Sequence, residues 1–292
     1  PGWITPSTGA AAGAATASAR SATIVFSATL VSMPSSANWN TVGYNATAGA
    51  YAASAASSTK SALSSDGSSW TETTKPSSTL GGTICRDTGS GFVIVNRAGG
   101  TSAATGGNST WTSRTLSSSA QRNNLVNNGT NVLLIPWAGN AGSVEYSANG
   151  GITWTTSGTV AGAVTFINVA GINTPSPLTI VTGNTTGYVY LNTDNFGTTW
   201  AGQAVTFTGA VTIAANGTGG VNPQAYRFCA VEYGTNKVGL TDDGVSWTYS
   251  TLPAARNWVG VVWCAICWLA VAESTDKCAV SYDGVTWLER TL

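Results

Sequence analysis

The stretch Thr241-Asp242-Asp243-Gly244-Val245-Ser246-Trp247 returns forty residues later as Ser281-Tyr282-Asp283-Gly284-Val285-Thr286-Trp287, and an earlier copy reads Ser64-Ser65-Asp66-Gly67-Ser68-Ser69-Trp70. Two copies are one residue longer and carry Asn for Asp: Ser147 to Trp154 with Asn149, and Thr193 to Trp200 with Asn195. A sixth, Thr105 to Trp111, is degenerate. The tryptophans Trp70, Trp111, Trp154, Trp200, Trp247 and Trp287 fall at intervals of 41, 43, 46, 47 and 40 residues. Each residue type has a reason to be in a tight bend. The Asp or Asn side chain accepts backbone N–H groups two positions on, Gly supplies positive φ, and Ser or Thr ties the bend to the preceding strand. The indole then starts the next strand and buries a large ring. These acidic, amide and tryptophan positions are read as structural.

The rest of each unit repeats as well. Pro34 to Trp39 matches Pro253 to Trp258, and three of the four lysines, Lys60, Lys237 and Lys277, stand ten residues before a turn tryptophan. Apolar runs of strand length precede the turns: 92–95, 132–135, 226–231 and 268–271. About 43 residues hold four short strands and their turns, one blade of a β-propeller. The expectation is an all-β, six-bladed propeller over residues 34–292, with blades at 34–75, 76–117, 118–160, 161–206, 207–252 and 253–292. The alternative is seven blades, one of them partial. Residues 1–33 fall outside the repeat. Up to residue 19 they are low-complexity Ala, Gly, Ser and Thr, read as an extended arm, and 23–33 reads as one strand seeking a free sheet edge on this chain or a neighbour.

The pattern resembles the Asp-box, or BNR, repeat, Ser/Thr-x-Asp-x-Gly-x-Thr-Trp. The copies at Trp154 and Trp200 have that length with Asn for Asp, and the others follow a shorter variant. Families with this repeat include sialidases, sorting receptors, photosystem assembly factors and phage virion proteins. The short variant looks most like propellers of phage tail, fibre and head-decoration proteins. A sialidase resemblance would imply an arginine triad, a Tyr–Glu pair and an Arg-Ile-Pro motif. Here only Leu134-Ile135-Pro136 comes near, without the arginine.

Composition narrows the chemistry. Histidine is absent, which removes His-dependent triads, dyads and metal sites. Twelve basic and twelve acidic residues cancel, so there is no basic excess for nucleic acid. No apolar run is long enough to span a membrane, and residues 1–19 lack the pattern of a signal peptide. Five asparagines, at 45, 108, 128, 184 and 216, begin Asn-x-Ser/Thr sequons, expected by chance in so Ser/Thr-rich a chain. No cofactor or metal is expected. The cysteines read as small apolar residues, and whether Cys264, Cys267 and Cys278 form a disulfide stays open.

The expected function is that of a non-enzymatic virion protein, held to other virion proteins through the arm in a homo-oligomeric assembly and meeting a host-surface glycan or partner. A carbohydrate-active enzyme or lectin, with an extracellular location, is one alternative, and a cellular assembly factor is another. The strand reading puts Lys60, Arg97, Lys237 and Lys277, with Lys75, Arg114, Arg122 and Arg256, on one face of the ring and most aspartates on the other. Trp39, Trp137 and Trp258 sit near the basic face, as blade packing or as a binding surface. The expected binding set is Lys60, Arg97, Lys237, Arg256, Lys277, Trp39, Trp137 and Trp258.

Overall fold

The computed structural model describes residues 3–6, 28–45, 48–80, 83–86, 91–106, 110–128, 131–137, 143–160, 165–172, 176–184, 187–216, 226–264 and 266–292. Every regular element among them is a strand. A two-stranded sheet pairs β1 (Trp3–Pro6) with β2 (Ala28–Val31). Blade 1 is β3 (Trp39–Asn45), β4 (Ala50–Ala55), β5 (Lys60–Ser64) and β6 (Thr71–Thr74). Blade 2 is β7 (Thr83–Arg86), β8 (Phe92–Val95), β9 (Ser102–Gly106) and β10 (Trp111–Thr115). Blade 3 is β11 (Arg122–Asn127), β12 (Val132–Pro136), β13 (Ser143–Ser147) and β14 (Thr155–Thr159). Blade 4 is β15 (Phe166–Ile172), β16 (Leu178–Gly183), β17 (Tyr188–Asn192) and β18 (Ala201–Ala204). Blade 5 is β19 (Val211–Ala215), β20 (Phe228–Glu232), β21 (Lys237–Thr241) and β22 (Thr248–Thr251). Blade 6 is β23 (Trp258–Trp263), β24 (Trp268–Ala272), β25 (Lys277–Ser281) and β26 (Leu288–Thr291). Each blade is an antiparallel four-stranded meander in sequence order. The fold is a six-bladed β-propeller, and each expected blade span encloses the strands observed.

The first strands of successive blades lie against one another from β3 through β7, β11, β15 and β19 to β23, which makes them the inner strands of the ring. Between blades, the second and third strands supply the core. Ile180 and Leu191 of blade 4 pack with Phe228 and Trp247 of blade 5, and Val238 and Leu240 of blade 5 with Trp268 and Trp287 of blade 6. Five junctions have such a shared cluster. The sixth does not. Blade 6 offers Leu269, Cys278 and Val280, blade 1 offers Trp39, Ala53, Ala55 and Ala62, and these form two separate clusters. Alanine methyls have too little volume to interlock with the facing leucine and valine. Consistently, β23 and β3 lie further apart than the other inner-strand neighbours. Val42, Tyr44, Val259 and Val262 on these two strands are exposed, whereas no large apolar side chain described on β11, β15 or β19 is.

The repeated turns close as their chemistry demands. Asp243 Oδ1 accepts the N–H groups of Val245 and Ser246 at 2.8 and 2.7 Å, and the Thr241 hydroxyl accepts that of Gly244 at 2.8 Å. The same bonds recur around Asp66 and Asp283. In five turns the indole N–H donates to the turn-glycine carbonyl: Trp70, Trp154, Trp200, Trp247 and Trp287, at 2.6–3.0 Å. Gly244 and Gly284 have φ of 75° and 81°, and a Cβ on either would stand 2.6 Å from a leucine of the preceding blade, Leu191 or Leu240. Glycine is therefore required twice over, for its backbone and for the approach of the next blade.

Two expectations are corrected. In blade 4 the capping residue is Asp194, not Asn195. Asp194 accepts the N–H groups of Phe196, Gly197, Thr198 and Thr199, and Asn192 stands where other turns have Ser or Thr. Asn195 instead takes the left-handed position, φ 62°, and its carbonyl receives the amides of Asn128 and Asn131 from blade 3. Second, the strand expected across 23–33 is seen at Ala28–Val31, where it pairs with Trp3–Pro6 rather than with a blade edge. Residues 7–27 lie outside the described residues.

Candidate functional site

The turns joining first to second and third to fourth strands share one end of the ring. The second-to-third turns and the crossings between blades share the other. Lys60, Lys237 and Lys277 each open a third strand at that second end. Their turns are built alike: a left-handed residue (Ser57, Gly234, Ser274) precedes Ser58, Thr235 or Thr275, whose hydroxyl accepts the lysine N–H at 3.0–3.3 Å. The register read from sequence is therefore a structural one.

The basic residues there do not all stand alone, because the outer-strand glutamates lie at this end too. Lys60 pairs with Glu72 at 3.6 Å, Arg256 with Glu289 at 2.8 Å and Lys277 with Asp276 at 3.2 Å. Lys237 Nζ donates to the Thr206 carbonyl at 2.7 Å, and Arg114 Nε to the Thr105 hydroxyl at 3.0 Å. Lys75 and Arg122 are not on the surface at all. Lys75 is 1% exposed and gives its ammonium protons to Ser54 Oγ, Ala55 O and Leu80 O at 2.6–2.9 Å, and burial pushes its pKa down to about 8. Arg122, 2% exposed, bonds Glu145 through Nε and Nη2 at 3.1 and 2.7 Å and reaches the carbonyls of Gly100 and Ala120. Burial pushes the Glu145 carboxyl up, but bonds from Ser117, Arg122 and Ser118 outweigh it and hold the pKa below the usual value.

The tryptophans separate into two kinds. Trp39 and Trp258, 6% and 0% exposed, are core residues, each sealing the start of an inner strand by donating Nε1–H to the carbonyl four residues back, Ser35 or Ala254. Their structural reading holds, and they leave the binding set. Trp137 is half-buried and lies under the exposed Arg97 of blade 2, whose guanidinium carbon is 4.9 Å from the ring centroid. Of the eight expected binding residues, this is the one pair brought together as an aromatic–cation surface. Lys60, Lys237, Arg256 and Lys277 surround the same end as separate, bonded charges.

Sequence reasoning missed the anchors that hold the crossings. Glu145 accepts the backbone N–H groups of Ser117 and Ser118, and Glu232 those of Thr208 and Gly209. Each ties a third- or second-strand carboxylate to the segment entering its own blade. Buried asparagines at the ends of inner strands were also missed. Asn45 reaches the Gly91 carbonyl of the next blade at 2.9 Å, and Asn128 that of Asn195. The signal was there: Asn45, Asn128 and Asn216 recur at the ends of β3, β11 and β19, and their burial is at odds with glycosylation.

The remaining acids are engaged too. Asp242 accepts the Arg227 N–H, and Glu273 accepts from the Tyr233 hydroxyl and the Asn257 amide. Every described carboxylate therefore caps a turn, anchors a crossing, meets a cation or accepts a side-chain or backbone bond. Asp87 lies outside the described residues. No group of three His, Cys, Asp or Glu poised for a metal occurs among the described residues.

No protein-family model matches the sequence, and no curated protein is similar to it. Solved structures do match. Virginiamycin B lyase from Staphylococcus aureus superposes with a TM-score of 0.68 at 10% identity, covering 87% of this chain and 84% of that one. YCF48 from Cyanidioschyzon merolae gives 0.61 at 11% identity, with coverage of 89% and 87%. The propeller domain of Cps50 (Swd1) from Myceliophteria thermophila gives 0.61 at 8%, with coverage of 88% and 87%. At these identities the likeness is one of fold. One of these structures is named as a lyase, and one fold hosts many functions.

Proposed function

We propose that this chain is a non-enzymatic propeller module of a phage virion, a tail, fibre or head-decoration protein that meets a host-surface glycan or a neighbouring protein through its second-to-third-turn end. The observation that carries the non-enzymatic reading is the commitment of every described carboxylate to a bond within the fold. General acid–base work on a glycan needs a carboxyl pair able to exchange protons with substrate. The lyase neighbour supports the same reading: a form in which one histidine is replaced by alanine is described as catalytically inactive, and this chain has no histidine. The Arg97–Trp137 stack presents an exposed guanidinium held over an aromatic ring, a surface suited to a glycan hydroxyl or carboxylate or to a peptide. The virion assignment rests on the likeness of the repeated Asp-Gly…Trp turns to Asp-box propellers of phage particles. One neighbouring structure is YCF48 bound to a D1 peptide, which favours peptide capture by a cellular assembly factor as the second reading.

Antibody labelling of purified particles, with adsorption of Arg97→Ala/Trp137→Ala particles to host cells, tests the proposal. Labelled particles whose double variant adsorbs at least tenfold less well support it. Unlabelled particles would overturn the virion reading, unchanged adsorption would remove this surface, and turnover of a fluorogenic sialoside by the purified protein would restore the enzyme.

A further inference from the structure

The turn between β23 and β24 holds two cysteines, Cys264 and Cys267. Cys264 N–H donates to the Cys267 carbonyl at 2.8 Å, directly beyond the paired residues Trp263 and Trp268. Residues facing each other in this hydrogen-bonded antiparallel arrangement have Cα atoms about 5.5 Å apart and project their side chains to the same side of the hairpin. That spacing is the most frequent one for a disulfide. Each thiol shifts the other, with Cys264 held below and Cys267 pushed above the usual thiol range. Cys264 is half-buried and reachable from solvent, whereas Cys267 is 1% exposed.

We propose that Cys264 and Cys267 are a redox-reactive dithiol that closes to an intra-turn disulfide by exchange with a small disulfide-bearing oxidant. Cys264 is the attacking group, since it is the accessible one, and the hydrogen bond from Cys267 lowers its pKa. Its thiolate attacks one sulfur of the oxidant, forms a mixed disulfide and releases one thiol. Cys267 then loses its proton to solvent, attacks Cys264 Sγ and releases the second thiol. Two protein thiols are oxidised and one external disulfide is reduced. Cys229 and Cys278 provide the contrast. Both are 0% exposed, and burial raises both thiols. The turn sits on the face of blade 6 whose apolar cluster, Leu269, Cys278 and Val280, is not shared with blade 1, and Cys264 packs against that cluster. Oxidation is thus placed at the sixth junction.

Trypsin makes the test specific, because the peptide Asn257–Lys277 contains Cys264 and Cys267 and no other cysteine. Native protein is exposed to oxidised glutathione, alkylated, digested and weighed. The expected result is a peptide lighter by two hydrogens and closed to alkylation, with Cys229 and Cys278 still alkylated. Cys267→Ser is expected to trap a stable glutathione adduct on Cys264, and Cys264→Ser to leave Cys267 unmodified. A wild-type peptide that stays reduced, keeps the adduct or becomes linked to the Cys278 peptide would overturn the proposal.

Discussion

At the residue scale, the turn tryptophans and acids hold the ring together. Trp154 is buried between blades 2 and 3 against Val93, Val95 and Leu134, and its N–H is bound to Gly151. Trp154→Ala should lower stability by about 3–5 kcal/mol, through lost burial and an unfilled cavity, as read by urea denaturation. Asp243 and Asp283 make a pH prediction. Partial burial pushes each carboxyl up, but bonds from the two backbone N–H groups and from the turn hydroxyl outweigh it, so both pKa values fall below the usual one. A carboxyl depressed in the folded state binds fewer protons there than when unfolded. Its stabilisation is full above the unfolded pKa, about 3.9, and fades as pH falls through the folded value. The double variant Asp243→Asn/Asp283→Asn should therefore lose stability at pH 7 but show a shallower decline between pH 4 and pH 2 in thermal melts. An acid limb as steep as that of the parent would show that other groups govern it. At this scale the sequence was readable wherever the partner is local. Asp66 bonds residues two and three positions on. Lys75 and Arg122 were not readable, because each also needs acceptors far off in sequence, Ser54 and Ala55 being 21 and 20 residues from Lys75 and Glu145 23 residues from Arg122, and nothing local separates a buried cation from a solvated one.

At the scale of elements, the crossings depend on those buried ions. Arg122 and Glu145 are each about 2% exposed and tie the segment after β10 to β13. Arg122→Ala should cost about 3–5 kcal/mol by leaving the Glu145 charge buried and unpaired, whereas Arg122→Met with Glu145→Gln should cost markedly less. Chemical denaturation of the two variants separates ion-pair loss from packing loss. The strands were legible in the sequence because the repeat fixes their register: Trp39 and Trp258 share a sequence context and turn out to share an N–H···O=C contact. The strand before Met33 was legible as a strand but not in its pairing, since an apolar run does not say which edge it meets. As β1 and β2 form a sheet of their own, deleting residues 1–31 should leave the thermal midpoint of the propeller within about 2 °C of the parent. Aggregation of that truncation, read by light scattering, would show that the pair covers a blade edge.

At the scale of the molecule, the six blades are alike in topology and unlike in charge. At the end where separation had been expected, three of the bases are matched locally, because Glu72 and Glu289 of the outer strands and Asp276 of the turn before β25 stand beside Lys60, Arg256 and Lys277. Sequence spacing located the lysines correctly and could not show that Glu72, Glu289 and Asp276 would meet the cations there. What the fold offers a partner at this end, among the described residues, is a hydroxyl-rich rim with paired charges and one aromatic–cation stack, and recognition through the paired charges should tolerate salt.

Among the described residues no strand from one end of the chain completes a blade begun at the other, and the two ends of the ring meet where the apolar clusters are divided. Tension applied between residues 34 and 292 would therefore load a junction with no ladder across it, and the blades behind it are each one uninterrupted piece of chain. In a single-molecule pulling experiment the ring should spring open at low force and then surrender its blades in succession. Each release of roughly 43 residues would lengthen the tether by about 140–150 Å at full extension, a regular sawtooth from a closed circle. One large rip would mean instead that the blades fail together.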